Sequence, residues 1–157
     1  MLVNLCQWLY DLPISTTIRE SFVVFPLLEC IHIYSMIFLV TVISAVDLRL
    51  LGLAIGRRPL PQLARQALRW MWVCFGINAI SGSLLFISRA PDYYINSAFR
   101  IKILLIFLAV VYHSVVFRRA AKWEDAAAVP LEARFVGSVS LLLWIGVIAA
   151  SRWIAFV

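Results

Sequence analysis

Soft and imidazole ligands are scarce here: 157 residues hold three cysteines and two histidines. Cys6, Cys30 and Cys74 are far apart, odd in number and form no C-x-x-C pair. That excludes a disulfide framework and a zinc cluster, and leaves three small apolar side chains. The chain has no G-x-S-x-G, G-x-x-x-x-G-K-[ST], H-E-x-x-H or G-x-G-x-x-G, which removes the common hydrolase, phosphate, zinc-protease and dinucleotide signatures. Glu29-x-x-His32 has no second copy, so a carboxylate-bridged di-metal site is excluded as well. A copper site from Cys30, His32 and Met36 fails on geometry, because two helical positions turn Cys30 about 200° from His32. Met1 to Pro13 lacks a basic n-region and a small-residue cleavage site, so it does not read as a cleavable signal peptide. Internal repetition is too weak for an inverted-repeat transporter. Polar stretches long enough for a soluble domain are also missing.

What the chain has in quantity is apolar surface. Hydrophobic residues make up 64% and charged ones 14%, with a mean hydropathy of +0.96. Such a chain belongs in a bilayer. A helix needs roughly 20 apolar residues to cross the hydrocarbon core, and four runs qualify: 21–46, 70–88, 101–117 and 135–157. The expected fold is all-α, a four-helix transmembrane bundle forming a single integral-membrane domain over residues 1–157. Leu2, Leu5, Cys6, Leu9 and Leu12, with Trp8, predict a short N-terminal interfacial helix. Leu60, Leu63, Ala67, Leu68 and Met71, against Arg65 and Arg69, predict another in the first inner loop, after Pro59 and Pro61. Thr17-Ile-Arg-Glu20 reads as a capping box that starts the first span near Ile18, with Pro26 bending it mildly.

Cations set the orientation. Nine of fourteen follow the first span (Arg49, Arg57, Arg58, Arg65, Arg69) or the third (Arg118, Arg119, Lys122, Arg134). The positive-inside rule then puts both termini outside, in the periplasm. Trp70, Trp72 and Trp123 mark the inner surface, and Trp8, Tyr93, Tyr94 and Trp153 the outer one. The net charge of +6 is accounted for by topology and anionic lipid, so nucleic acid is not an expected partner.

Ionisable groups inside a span are costly and must find partners. Span one carries Glu29 and His32, with Asp47 at its inner end; span two carries the polar Asn78, span three Lys102 and His113, and span four Arg152. Glu29, His32, Ser35 and Met36 share one helical stripe, and Lys102 and His113, eleven residues apart, share another. If the stripes face each other, the interior holds two imidazoles, a carboxylate and an ammonium. One reading is a haem b with His32 and His113 as axial ligands to iron, Arg100 and Lys102 near the propionates, and Glu29 close by. Arg89 and Arg152 gather at the same outer mouth, and Gly76, Ala79, Gly82 and Ser83 leave space for a flat ring or a second helix. Counted from the outer ends, the histidines lie at about 16 and 20 Å; counted from Asp47 and Arg118, they lie at about 22 and 8 Å from the inner ends. The other readings are that each histidine bonds a neighbouring helix, or that they serve proton transfer or metal binding.

Leu28-Glu-Cys-Ile-His32, Asp47-Leu-Arg-Leu-Leu-Gly52, Asn96-Ser-Ala-Phe-Arg-Ile-Lys102 and Ala150-Ser-Arg-Trp-Ile-Ala155 span most of the chain. On these pieces it resembles an uncharacterised family of small bacterial four-span integral-membrane proteins. A Leu-x-x-x-His pattern on an early span is loosely similar to membrane b-type cytochromes and copper-resistance membrane proteins. The resemblance implies the bacterial inner membrane and brings no established activity. In that family's pattern an asparagine often stands where this chain has His113, so the resemblance does not imply a shared bis-histidine haem. The function expected from these features is a small haem b subunit passing electrons between a periplasmic protein partner and the quinone pool. The competing expectation is a non-redox accessory or anchor subunit of a larger membrane complex. Either way the chain reads as a subunit rather than a stand-alone enzyme.

Overall fold

The computed structural model describes residues 2–53, 59–120 and 131–156. Arg57, Arg58, Lys122, Trp123 and Val157, and the side chains of Phe117 and Arg119, lie outside the described residues. The described chain is helical: α1 Leu2–Tyr10, α2 Pro13–Glu20, α3 Val24–Leu50, α4 Leu60–Ser88, α5 Ala90–Ile95, α6 Ser97–Ala120 and α7 Leu131–Trp153, then a 3₁₀ turn Ile154–Phe156. Four of these, α3, α4, α6 and α7, are long and apolar enough to cross a membrane. The protein is an all-α membrane protein built on a four-helix bundle.

The helix starts differ from the sequence expectations for identifiable reasons. Thr17 does not cap the first span: it sits inside α2, its hydroxyl donating back to Pro13 O at 2.9 Å. The chain breaks at Ser21, whose Oγ accepts from the amide of Val24 at 3.1 Å and so serves the first turn of α3. Pro26 falls in that first turn, where a missing N–H costs no intrahelical bond. At the far end, Leu53 N donates to Leu48 O at 3.0 Å and Gly52 N to Arg49 O at 3.1 Å. These two bonds form a Schellman stop, and Gly52 has the positive φ, +76°, that it requires.

The amphipathic stretch after Pro59 is present but is not a separate interfacial helix. It forms the first turns of α4, where Ala64, Ala67 and Met71 are buried. Continuous from Leu60 to Ser88, α4 is about 43 Å long, more than the ~30 Å hydrocarbon core, so part of it projects beyond. The short N-terminal helix expected from Leu2 to Leu12 is α1, and a second short helix, α2, follows it. Arg19 locks them to the bundle: its guanidinium lies 3.9 Å over the Tyr10 ring and donates to Ser88 O at 3.3 Å. Asn96 starts α6 as a side-chain cap, its Oδ1 accepting from the amide of Phe99 at 3.0 Å.

Neighbouring helices contact in the cycle α3, α4, α6, α7 and back to α3. Among the described residues α3 and α6 make no backbone-level contact, so they stand diagonally across the bundle. Its core runs through Leu39, Ile43, Val46 and Leu50 of α3, Ala67, Met71 and Cys74 of α4, Ala109 and Val116 of α6, and Ala133, Trp144 and Val147 of α7. Outward faces carry large apolar side chains such as Tyr34, Ile80, Phe107 and Leu142, as expected where lipid rather than water is the solvent.

Candidate functional site

The polar side chains separate into two sites about 22 Å apart along α3, the rise of the fifteen residues from His32 to Asp47. The first is a cavity of about 550 Å³ near the start of α3, lined by Glu29 and His32 (α3), Phe75, Asn78, Gly82 and Phe86 (α4), Tyr93 (α5), Phe99, Lys102 and Ile106 (α6), and Ser151. Its volume lies in the range of small-molecule pockets. Phe86, Tyr93 and Phe99 stack at one wall with centroids 5.2–6.4 Å apart. Burial pushes the Tyr93 phenol up from its ordinary value; Glu29 and Asp92 add to this and Arg89 opposes it.

His32 is held at the cavity by α4. Ser81 spends its hydroxyl proton on Ile77 O at 2.8 Å, so its oxygen accepts from His32 Nδ1–H at 3.1 Å. Nε2 is thereby the unprotonated nitrogen, with no hydrogen-bond partner among the described residues. One turn away, Asn78 Nδ2 donates to His32 O at 3.0 Å and to Ser35 Oγ at 3.1 Å, tying α3 to α4. The ring rests on Gly82, where any Cβ would come within 2.9 Å of His32 Cε1. Small residues on span two thus serve a side chain at Gly82, whereas Gly76 has open space around it.

The second site lies between α3, α6 and α7. Asp47, His113 and Ser140 are each 0% exposed. Ser140 Oγ bonds Asp47 Oδ2 and lies 2.5 Å from His113 Nε2. His113 Nδ1 donates to Ala109 O at 2.6 Å, since a carbonyl can only accept, and Trp144 Nε1 approaches Nε2 to 3.2 Å. Asp47 Oδ2 is 4.0 Å from that nitrogen, and Oδ1 has no hydrogen-bond partner among the described residues.

The structure therefore does not bring the two histidines together. His32 lines the cavity; His113 does not, and both its ring nitrogens have polar neighbours. The agreement in depth from the outer ends is lost because α3 begins at Val24 and α6 already at Ser97, which places His32 about 12 Å and His113 about 24 Å along their parallel helices. The count from the inner ends had the right sense. Of the other expected site residues, Glu29 and Lys102 line the cavity. Arg100 is outside it, exposed, with its guanidinium 3.5 Å from Ile95 O. Arg89 lies over Phe25 at 5.3 Å and Arg152 over Phe156 at 5.1 Å. Among the described residues no group of three or more His, Cys, Asp or Glu is placed to hold a metal ion. Sequence reasoning missed Ser81, Ser140 and Trp144. For the last two a signal exists: Ala133, Gly137, Ser140, Trp144 and Val147 recur at helical spacing as the buried stripe of α7.

Residues 15–157 match a family of unknown function (DUF6644). The chain belongs to that family. No curated protein and no solved structure matches it. With no activity attached to the family, the function has to be read from the two sites.

Proposed function

We propose that the protein is a small membrane subunit working with the quinone pool, and that the cavity holds a quinone ring. The observation that carries this reading is the pairing of an oriented acceptor with a cationic donor in an aromatic pocket. His32 Nε2 offers its lone pair, and Lys102, on the facing helix, offers N–H donors. A quinol or semiquinone presents the complement, a hydroxyl and a second oxygen on opposite edges of a flat ring. His32 would accept the hydroxyl proton while Lys102 bonds the other oxygen, and the ring would lie against the stacked aromatic wall. Electrons would pass to or from a redox group in a partner membrane or periplasmic subunit.

The location that goes with this reading is the inner membrane of a bacterium, with both termini periplasmic. Its support is the placing of nine of fourteen cations after the first and third spans. The cavity then lies in the periplasmic half.

A second reading has one specific observation in its favour. A histidine whose Nδ1–H is fixed by a hydroxyl, with Nε2 bare, is oriented as a metal-bound imidazole is, so a haem b could sit on His32 alone. One experiment separates the two. The purified protein in nanodiscs is titrated with a short-chain ubiquinone, and its reduced-minus-oxidised spectrum is recorded after expression with ample haem. Saturable quinone binding, lost in Gly82→Leu and weakened at least tenfold in His32→Leu, supports the quinone site. A b-type α band that disappears in His32→Leu assigns haem instead. Unsaturable partitioning with no α band rejects both.

A further inference from the structure

We propose that Asp47, Ser140 and His113 form a buried proton relay in which one proton rests on Asp47 and passes to His113 through the Ser140 hydroxyl. The inference is independent of what the cavity binds.

Counting donors leads to it. In the neutral arrangement Asp47 Oδ2–H donates to Ser140 Oγ, Ser140 Oγ–H to His113 Nε2, and His113 Nδ1–H to Ala109 O. Trp144 Nε1–H points at the same bare Nε2. Ser140 O–H and Trp144 N–H then share the Nε2 lone pair, and Oδ1, without a hydrogen-bond partner among the described residues, is the carbonyl oxygen of a neutral acid. In the ionised arrangement His113 Nε2–H donates to Ser140 Oγ and Ser140 Oγ–H to the Asp47 carboxylate. Trp144 N–H then faces another N–H, and a charged oxygen is buried without a partner. Both penalties are those of unsatisfied buried polar groups, so the neutral form is the resting one. A carboxylate beside a neutral imidazole would leave a whole charge uncompensated in the core, which is worse.

The two arrangements differ by a balanced double hop. The serine proton moves to Nε2 as the aspartic acid proton moves to Oγ; serine ends as it began, and net charge is unchanged. Without the serine, the 4.0 Å from Oδ2 to Nε2 is too long for direct transfer. Titratable and charged side chains on the helices packed around the group include Arg49 on α3, Cys74 on α4, Tyr112 on α6 and Arg134 on α7. Tyr112 is committed to Val136 O at 2.9 Å, and its ring meets His113 edge-on. Gly137, one turn before Ser140 on α7, is what lets the serine reach: a Cβ there would meet Asp47 O at 3.0 Å.

The chain's having only two histidines makes the test direct. The full-length protein is labelled with ¹⁵N-histidine and [4-¹³C]aspartate and placed in lipid nanodiscs at neutral pH, with His32→Gln used to assign the His113 signals. The expected result is a protonated-carboxyl stretch that shifts in D₂O and vanishes in Asp47→Asn, with His113 protonated on Nδ1 and bare on Nε2. In Trp144→Phe the bias against a protonated Nε2 is gone, so the acid band falls and Nε2 gains its proton in the same proportion. Adding Ser140→Ala restores the acid band, and Ser140→Thr in its place does not. An ionised Asp47 in the wild-type protein overturns the proposal, as does a Trp144→Phe effect that survives Ser140→Ala. Should Asp47→Asn fail to fold, the isotope-shifted carboxyl band and the Trp144 and Ser140 variants decide the question without it.

Discussion

The ring of His32 lies against Gly82 so closely that a Cβ at position 82 would stand 2.9 Å from Cε1, closer than real Cβ contacts come. The ring has little freedom to retreat, being bonded through Nδ1 to Ser81 one residue away. Gly82→Ala is therefore expected to displace His32, break the Ser81 bond and cost about 1–3 kcal/mol, as overpacking does. Gly76→Ala, with nothing within 4 Å, is the matched control and should be neutral or stabilising by up to about 1 kcal/mol through helix propensity. Thermal unfolding of the two variants in mild detergent checks the contrast; equal melting temperatures would refute it.

Asn78 contributes two bonds across the α3–α4 seam, to His32 O and Ser35 Oγ. Interhelical bonds in membranes average about 0.6 kcal/mol, so Asn78→Leu should cost about 1 kcal/mol. Because one of those bonds reaches the turn that carries His32, the variant should also loosen the histidine. Unfolding in a denaturing detergent series reads the first effect, and the ¹⁵N signal of His32 reads the second.

Gly137 should tolerate alanine less well than Gly82. Its would-be Cβ meets the backbone oxygen of Asp47 at 3.0 Å and Leu50 Cβ at 3.2 Å, atoms of a helix that cannot swing aside as a side chain does. Gly137→Ala must push α7 from α3, with a cost toward the upper end of about 1–3 kcal/mol. The same movement draws Ser140 from Asp47, so the Asp47 infrared band should change in this variant and stay put in Gly82→Ala.

Tyr93 lies on α5, outside the membrane-spanning helices, and burial raises its phenol above the ordinary value of 10.0. The unfolded chain then releases the phenolic proton at a lower pH than the folded one. Stability from this group is complete below about pH 10 and is lost as pH climbs through the folded value. Tyr93→Phe should flatten the alkaline fall in melting temperature, and ultraviolet titration of tyrosinate should show one late-ionising tyrosine missing from the variant. An unchanged alkaline limb would show that Tyr93 does not cause it.

Much of the architecture was legible before any coordinates. Hydropathy is a sum over neighbours in sequence, so the four spans could be read directly, though every end but Ser88 shifted by three to ten residues. Those ends depend on short-range chemistry that is easily misread: Ser21 rather than Thr17 serves the start of α3, and Asn96 caps α6. The stripe of Glu29, His32 and Ser35 was also correct as a stripe, since angular position follows from spacing alone. What could not be read was its partner. Four residues of error at a helix start move a side chain by about 6 Å in depth, enough to make two histidines seem level that are not.

By itself, then, the sequence determined that this is a four-span membrane protein with few ionisable groups in its spans, because the bilayer imposes length and apolar composition on each helix separately. Only the tertiary structure decided which of those groups meet. The diagonal placing of α3 and α6 puts His32 in the cavity with Glu29 and Lys102, and puts His113 with Asp47. It also brought in Ser140 and Trp144, ordinary residues until α7 closes on the site at Gly137. The reason is physical: depth and neighbour are properties of how helices dock, set by small-residue contacts between segments up to 93 positions apart in the chain.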